Sequence, residues 1–144
     1  IPLETVGTDP IYAEYFMQPD RLVDSYNDGW FGEGRPASRL QPEAGYVAPP
    51  LDGVWVSAPY FHNGSVPTLE AVLDSSARPD LWLRDFEDNG YEVDSPGLTH
   101  TIPEAGTPNA YDTAIPGYGN MGHPFGDALT DTERTAVIEY LKTL

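Results

Sequence analysis

The 144-residue chain reads as a mainly α, loop-rich domain, with short helices at about 10–17, 69–74 and 131–143 and room for a small hairpin near 81–93. Three observations point there. Helix-start signals recur at Asp9-Pro10, at Thr68, and at Thr130 with Glu133 three residues on; short oxygen-bearing side chains accept from the free N–H groups of a first turn. The 15 prolines and 14 glycines make up about a fifth of the chain, which keeps regular elements short. An aromatic content of 12% supplies enough packing surface to oppose disorder.

The chain is organised around 51–73, LDGVWVSAPYFHNGSVPTLEAVL, its densest apolar and aromatic block. Asp52-Gly53, Ala58-Pro59, Asn63-Gly64 and Val66-Pro67 punctuate it, and Asn-Gly suits a turn with positive φ because glycine has no Cβ to clash. The stretch reads as a short apolar lead-in, a tight polar loop displaying His62 and Asn63, and a helix capped by Thr68. His62 there has two readings. It hydrogen-bonds its own turn, or it stands beside a cofactor, and spacing alone does not separate them.

On either side the signals are weaker. Ile1–Pro10 reads as extended with turns. Asp9 then caps a helix in which Ile11, Tyr15 and Phe16 recur at helical spacing and which Pro19 ends. Residues 21–30 are ambiguous, with at most a turn of helix, and 30–50 reads as a surface loop. Leu81, Leu83, Phe86, Tyr91 and Val93 alternate loosely around Asn89-Gly90, a hairpin signal. Residues 95–119 read as loop. The closing helix starts at a Thr130–Glu133 capping box and lines up Ala136, Val137, Tyr140, Leu141 and Leu144 on one face.

Composition excludes several functions. With 23 acidic against 7 basic residues the chain carries −16, spread without runs, which repels nucleic acid and anionic membranes and favours basic partners or a saline habitat. There is no cysteine, hence no disulfide and no thiolate metal site. No stretch approaches the roughly 18 apolar residues of a membrane span. Phosphate-loop, Rossmann and H-E-x-x-H motifs are absent, and Ser57 and Ser65 lack a nucleophile-elbow context. Asp85, Glu87, Asp88 and Asn89 form an acidic turn whose spacing is wrong for a calcium loop.

Three blocks carry a resemblance. Residues 58–69, APYFHNGSVPTL, resemble the "APY-x-H-(N/D)-G-S-x-x-TL" element of the bacterial di-haem cytochrome c peroxidase superfamily, nearest the branch related to rubber oxygenases. IPLETVGTDP resembles the stretch that follows that branch's haem-attachment motif, and GNMGHPFGDALTDTERTAVIEYLKTL resembles its terminal "GH…" loop and closing helix. The blocks come in family order and frame almost the whole chain. The resemblance implies a cytochrome c-like fold, and it implies haem c in a parent protein that moves electrons or reduces peroxide. It also implies a periplasmic or extracellular location.

The chain departs from that family in lacking Cys-x-x-Cys-His. As it stands it cannot tether haem and has no proximal histidine. It is therefore expected to be the C-terminal part of a single cytochrome c domain, 1–144, whose attachment helix lies upstream. That helix, or another copy of the chain, would cover the closing helix, and a basic redox partner would suit the charge. The rival reading is a haem-free acidic module that kept the scaffold.

The residues proposed for haem contact follow from the same match. His123, in the glycine-bracketed loop Asn120–Gly126, is the favoured distal iron ligand, with Met121 as the alternative and loop hydrogen bonding as the plain reading. Met17 and His100 are weaker candidates. Glycines there are expected to let the backbone approach a planar macrocycle. Phe61 stands where the di-haem peroxidases carry a ligating methionine, so it cannot ligate. His62 is expected to orient the loop or meet a propionate, while Trp55, Tyr60 and Phe125 would wall the pocket. The family's arginine before Leu51-Asp52-Gly53 is replaced by Pro49, and Arg35 or Arg39 could substitute for it.

Overall fold

The computed structural model describes residues 1–18 and 22–144, with the side chains of all of these but Phe16 and Asp88. The chain is not mainly α. The described residues form six helices of 4 to 11 residues: α1 (Leu3–Val6), α2 (Ile11–Met17), α3 (Leu22–Asn27), α4 (Trp30–Glu33), α5 (Leu69–Leu73) and α6 (Asp131–Leu141). Between α5 and α6 run five short strands: β1 (Leu81–Arg84), β2 (Tyr91–Glu92), β3 (Gly97–Leu98), β4 (His100–Thr101) and β5 (Tyr111–Asp112). They form two antiparallel sheets, β4-β1-β5 and β2-β3, joined by loops.

The expected hairpin is replaced by longer-range pairing. β1 does not pair across Asn89-Gly90; Leu83 faces Thr101 and Leu81 faces Asp112. Asn89 and Gly90 do take positive φ, at 72° and 63°, but they close a 3-10 turn over Glu87–Gly90. Local alternation marks a strand and says nothing about a partner far along the chain. That is why 95–119, read as loop, supplies three strands. The overestimate of helix has the same origin. The helix signals in this sequence are mostly caps, and caps mark helix ends without revealing how short the helices are.

The helix signals themselves hold. The Thr68 side chain accepts from the Ala71 N–H, opening α5, and the Thr130–Glu133 capping box opens α6. At α2, Asp9 Oδ1 accepts from the Ile11 N–H at 3.0 Å. The end assigned to Pro19 lies outside the described residues. α1 was unexpected. It is a single turn closed by Gly7 at φ 67°, a left-handed position that glycine takes without steric cost.

The core gathers around α5: Tyr60, Val66, Leu69, Ala71 and Leu141 are buried, with Val54, Phe61, Val72, Val137 and Ile138 packed against them. α6 therefore turns Val137, Ile138 and Leu141 inward. Tyr140, expected on the same face, is left 62% exposed. Backbone contact at 97 is close enough that a Cβ on Gly97 would come within 2.6 Å of the Thr68 Cα. The Trp82 indole donates to the Ser65 carbonyl and stacks on Tyr111. None of the described helices is long and apolar enough to cross a membrane.

Candidate functional site

The central loop and the loop before α6 meet. Tyr60 and Val66 pair as a bridge across the tight loop, and between them Phe61 takes φ 68°. His123 takes φ 51° on the other loop, and its N–H donates to the Val6 carbonyl at 2.8 Å. The two rings stack, with centroids 4.1 Å apart and planes 24° apart. His62 lies beside them, 6.2 Å from His123, and stacks on Tyr46 at 4.2 Å, with Tyr12 at 5.4 Å. Tyr46 is brought there by the chain's first residues: Ile1 and Pro2 pair with 45–46. Phe125 meets His123 edge-on at 6.4 Å.

Both ring nitrogens of His62, and Nε2 of His123, are shut off from solvent and have no hydrogen-bond partner. An imidazole in that state resists taking a second proton. Burial, His62 and the Arg78 guanidinium push the His123 pKa down to about 4. Burial lowers that of His62, against the pull of Asp9. Both rings are therefore neutral near pH 7, the form in which a histidine nitrogen ligates a metal.

Three residues hold the loops together, and the sequence did not single any of them out for this role. Asp9 is buried, and its Oδ2 accepts from the N–H groups of Gly117 and Gly119. Burial opposes its charge, yet those donors, the Ile11 N–H and His62 outweigh that and keep the carboxyl below its ordinary range. Asn63 grips the same segment from its carbonyl side, donating from Nδ2 to the Gly117 and Gly119 oxygens. Arg78 donates to five carbonyls: from Nε to Ala71, from Nη1 to Asn120 and Gly122, and from Nη2 to Val72 and His123. Its rarity, as one of only 7 basic residues, was the one sequence signal that could have marked it.

The other expected residues separate. Tyr60 lies in the core, and Trp55 is half-buried with its carbonyl accepting from the Tyr91 hydroxyl. Met121 is 58% exposed and Met17 is exposed on α2. His100 Nδ1 is bonded to the Leu98 carbonyl. Arg35 and Arg39 are exposed. Asp85 bonds the N–H of Glu87 in its own turn, and no group of three or more His, Asp or Glu among the described residues is arranged to hold a metal ion.

Gly122 and Gly126 make room for the protein's own backbone. A Cβ on Gly122 would come within 2.5 Å of the Val6 carbonyl oxygen, and one on Gly126 within 2.4 Å of that of Leu73. The loop-orienting part considered for His62 belongs to Asn63, since neither His62 nitrogen has a partner.

This geometry can be set beside known proteins. Residues 45–83 match a family model. It is described as RoxA-like, cytochrome c-like. The RoxA-like match takes in Tyr46, Phe61, His62 and Arg78 and stops short of His123. Two relatives come from Sinorhizobium fredii (strain NBRC 101917 / NGR234), both described as uncharacterized proteins. One, y4iJ, is 39% identical over 188 residues, covering 100% of this chain and 31% of the relative. The other, y4iM, is 36% identical over 137 residues, covering 78% of this chain and 30% of the relative. The chain thus spans about a third of the length of the curated relatives it matches.

The RoxA-like match brings haem c into question, and the residues can be tested against it. Covalent attachment needs two cysteines, and these 144 residues have none. An axial ligand needs a neutral imidazole nitrogen free of other bonds, which His123 Nε2 is. Flat apolar walls are supplied by Phe61 and Phe125. The described residues offer a haem an unpartnered imidazole nitrogen, closed off from solvent, and no means of attachment.

Proposed function

We propose that this chain forms the axial side of a haem c site in a longer exported protein, with the thioether anchors outside these 144 residues. The observation that carries the reading is the unpartnered, buried Nε2 of a neutral His123 in a cluster of flat rings. When bound, haem supplies one-electron redox chemistry, for electron transfer or peroxide reduction by the parent. His123 holds a ligating nitrogen, with Met121 two residues away as the alternative. Phe61 stacks on the His123 ring and Phe125 meets it edge-on. His62 brings a second unprotonated imidazole within 6.2 Å, a residue that would face the group's edge if haem binds there.

One observation favours a second reading. The Phe61 and His123 rings already pack face to face, and the chain has no cysteine, so a haem-free acidic module with the same scaffold accounts for the packing. The two readings part on the natural full-length protein, made in a host that attaches haem c and run on a denaturing gel. Covalent haem staining of the band supports the first reading, and a colourless band establishes the second.

A further inference from the structure

The Arg78 guanidinium joins the end of α5 to the loop that carries His123. Its Nη1 donates to Asn120 at 2.9 Å and Gly122 at 2.6 Å, and its Nη2 to His123 at 3.1 Å, so three of four consecutive carbonyls, 120–123, converge on one planar group. Its Nε is tied to the Ala71 carbonyl at 2.9 Å. The same plane lies over the Phe61 ring, 4.9 Å from its centroid, and Phe61 stacks on the His123 ring. The backbone of His123 is thus held directly by Arg78, and its ring is held through Phe61. Both Phe61 and His123 have positive φ, a conformation that an unrestrained loop would leave.

We infer that Arg78 is the positioning residue of this site: it fixes the orientation of the His123 imidazole by clamping the loop carbonyls and bracing Phe61. The inference rests on the reading of His123 as a ligating residue, but its first test does not require haem. Lysine keeps the charge and the stem yet lacks the flat fork that reaches several carbonyls at once and stacks on a ring. If only charge or bulk mattered, lysine would restore the wild-type state.

The test compares wild type with Arg78→Lys by NMR and by titration with free ferric protoporphyrin. In wild type the His123 ring protons carry a ring-current shift from Phe61. In folded Arg78→Lys that shift falls by more than half, and affinity for the porphyrin drops about tenfold or more, as expected when a binding-competent geometry is no longer pre-formed. Unchanged His123 ring shifts in a folded Arg78→Lys overturn the inference. If wild type binds no porphyrin while the variant still loses the ring shift, the positioning role stands and the haem reading alone fails. Should Arg78→Lys not fold, wild type decides: resolved, slowly exchanging Arg78 Nη protons support the clamp, and a freely averaging guanidinium signal overturns it.

Discussion

Phe61 and His123, 62 residues apart in sequence, both occupy the left-handed region at φ 68° and 51° and stack their rings at 4.1 Å. Each non-glycine residue in that region costs roughly 1–2 kcal/mol, so the surrounding contacts must outweigh the strain. Phe61→Ala removes the stack on His123 and the Arg78 contact while leaving the φ unchanged. The expected loss is about 2–3 kcal/mol, less than for a fully buried phenylalanine, read as a lower urea midpoint with the same slope. A variant as stable as wild type would show that the stack contributes nothing.

Acid should weaken the fold before any carboxylate is involved. An unfolded histidine titrates near 6.5, whereas His123 in the fold takes its proton only near pH 4, and His62 is also held low. Between those values the unfolded chain binds protons that the folded chain refuses, so stability falls as pH drops through that window. Asp9 faces His62 and pulls the other way, while Arg78 faces His123 and adds to the effect. The loss from pH 7 to pH 5 is on the order of 2 kcal/mol, and His123→Phe should flatten it. Melting temperatures at the two pH values check this; a flat wild-type profile contradicts it.

Asp9 and Asn63 hold the two edges of the same short segment. Asp9→Ala strips an acceptor from the N–H groups of Ile11, Gly117 and Gly119 and should cost about 3 kcal/mol. Asn63→Ala should cost about 2 kcal/mol. Because both act on Gly117 and Gly119, the double variant should lose less than the sum, by 0.5 kcal/mol or more, roughly the coupling seen between contacting residues. Additive losses would mean the segment is not a shared element.

At the far end, Thr130→Ala breaks the capping box of α6 and should cost about 1 kcal/mol. The first-turn amides of Glu133 and Arg134 should lose protection first, seen by hydrogen exchange, and Leu141, buried in the core at the other end, last; loss at Leu141 first would contradict this.

What could be read from the sequence follows the range of each interaction. The caps at Thr68 and Thr130 and the tight loop at 58–66 that carries His62 were legible, because each depends on residues within a few positions. The pairing of β1 with β4 and β5 was not, since nothing in Leu81–Arg84 names Tyr111 as a neighbour. The site was half legible for the same reason. Phe61 and His123 each stood out within a motif, but Tyr46 and Tyr12 reach His62 only because the N-terminus folds back onto 44–46. Arg78 stood out in no motif, because its five carbonyl partners lie on two segments, 71–72 and 120–123, the second more than 40 residues away.

In the proposed function the His123 imidazole binds haem iron. Visible absorption of ferric protoporphyrin titrated onto the wild-type chain and onto His123→Ala tests it most directly. The account predicts a sharp, red-shifted histidine-ligated Soret band with wild type that is lost with His123→Ala; identical spectra from the two would contradict it.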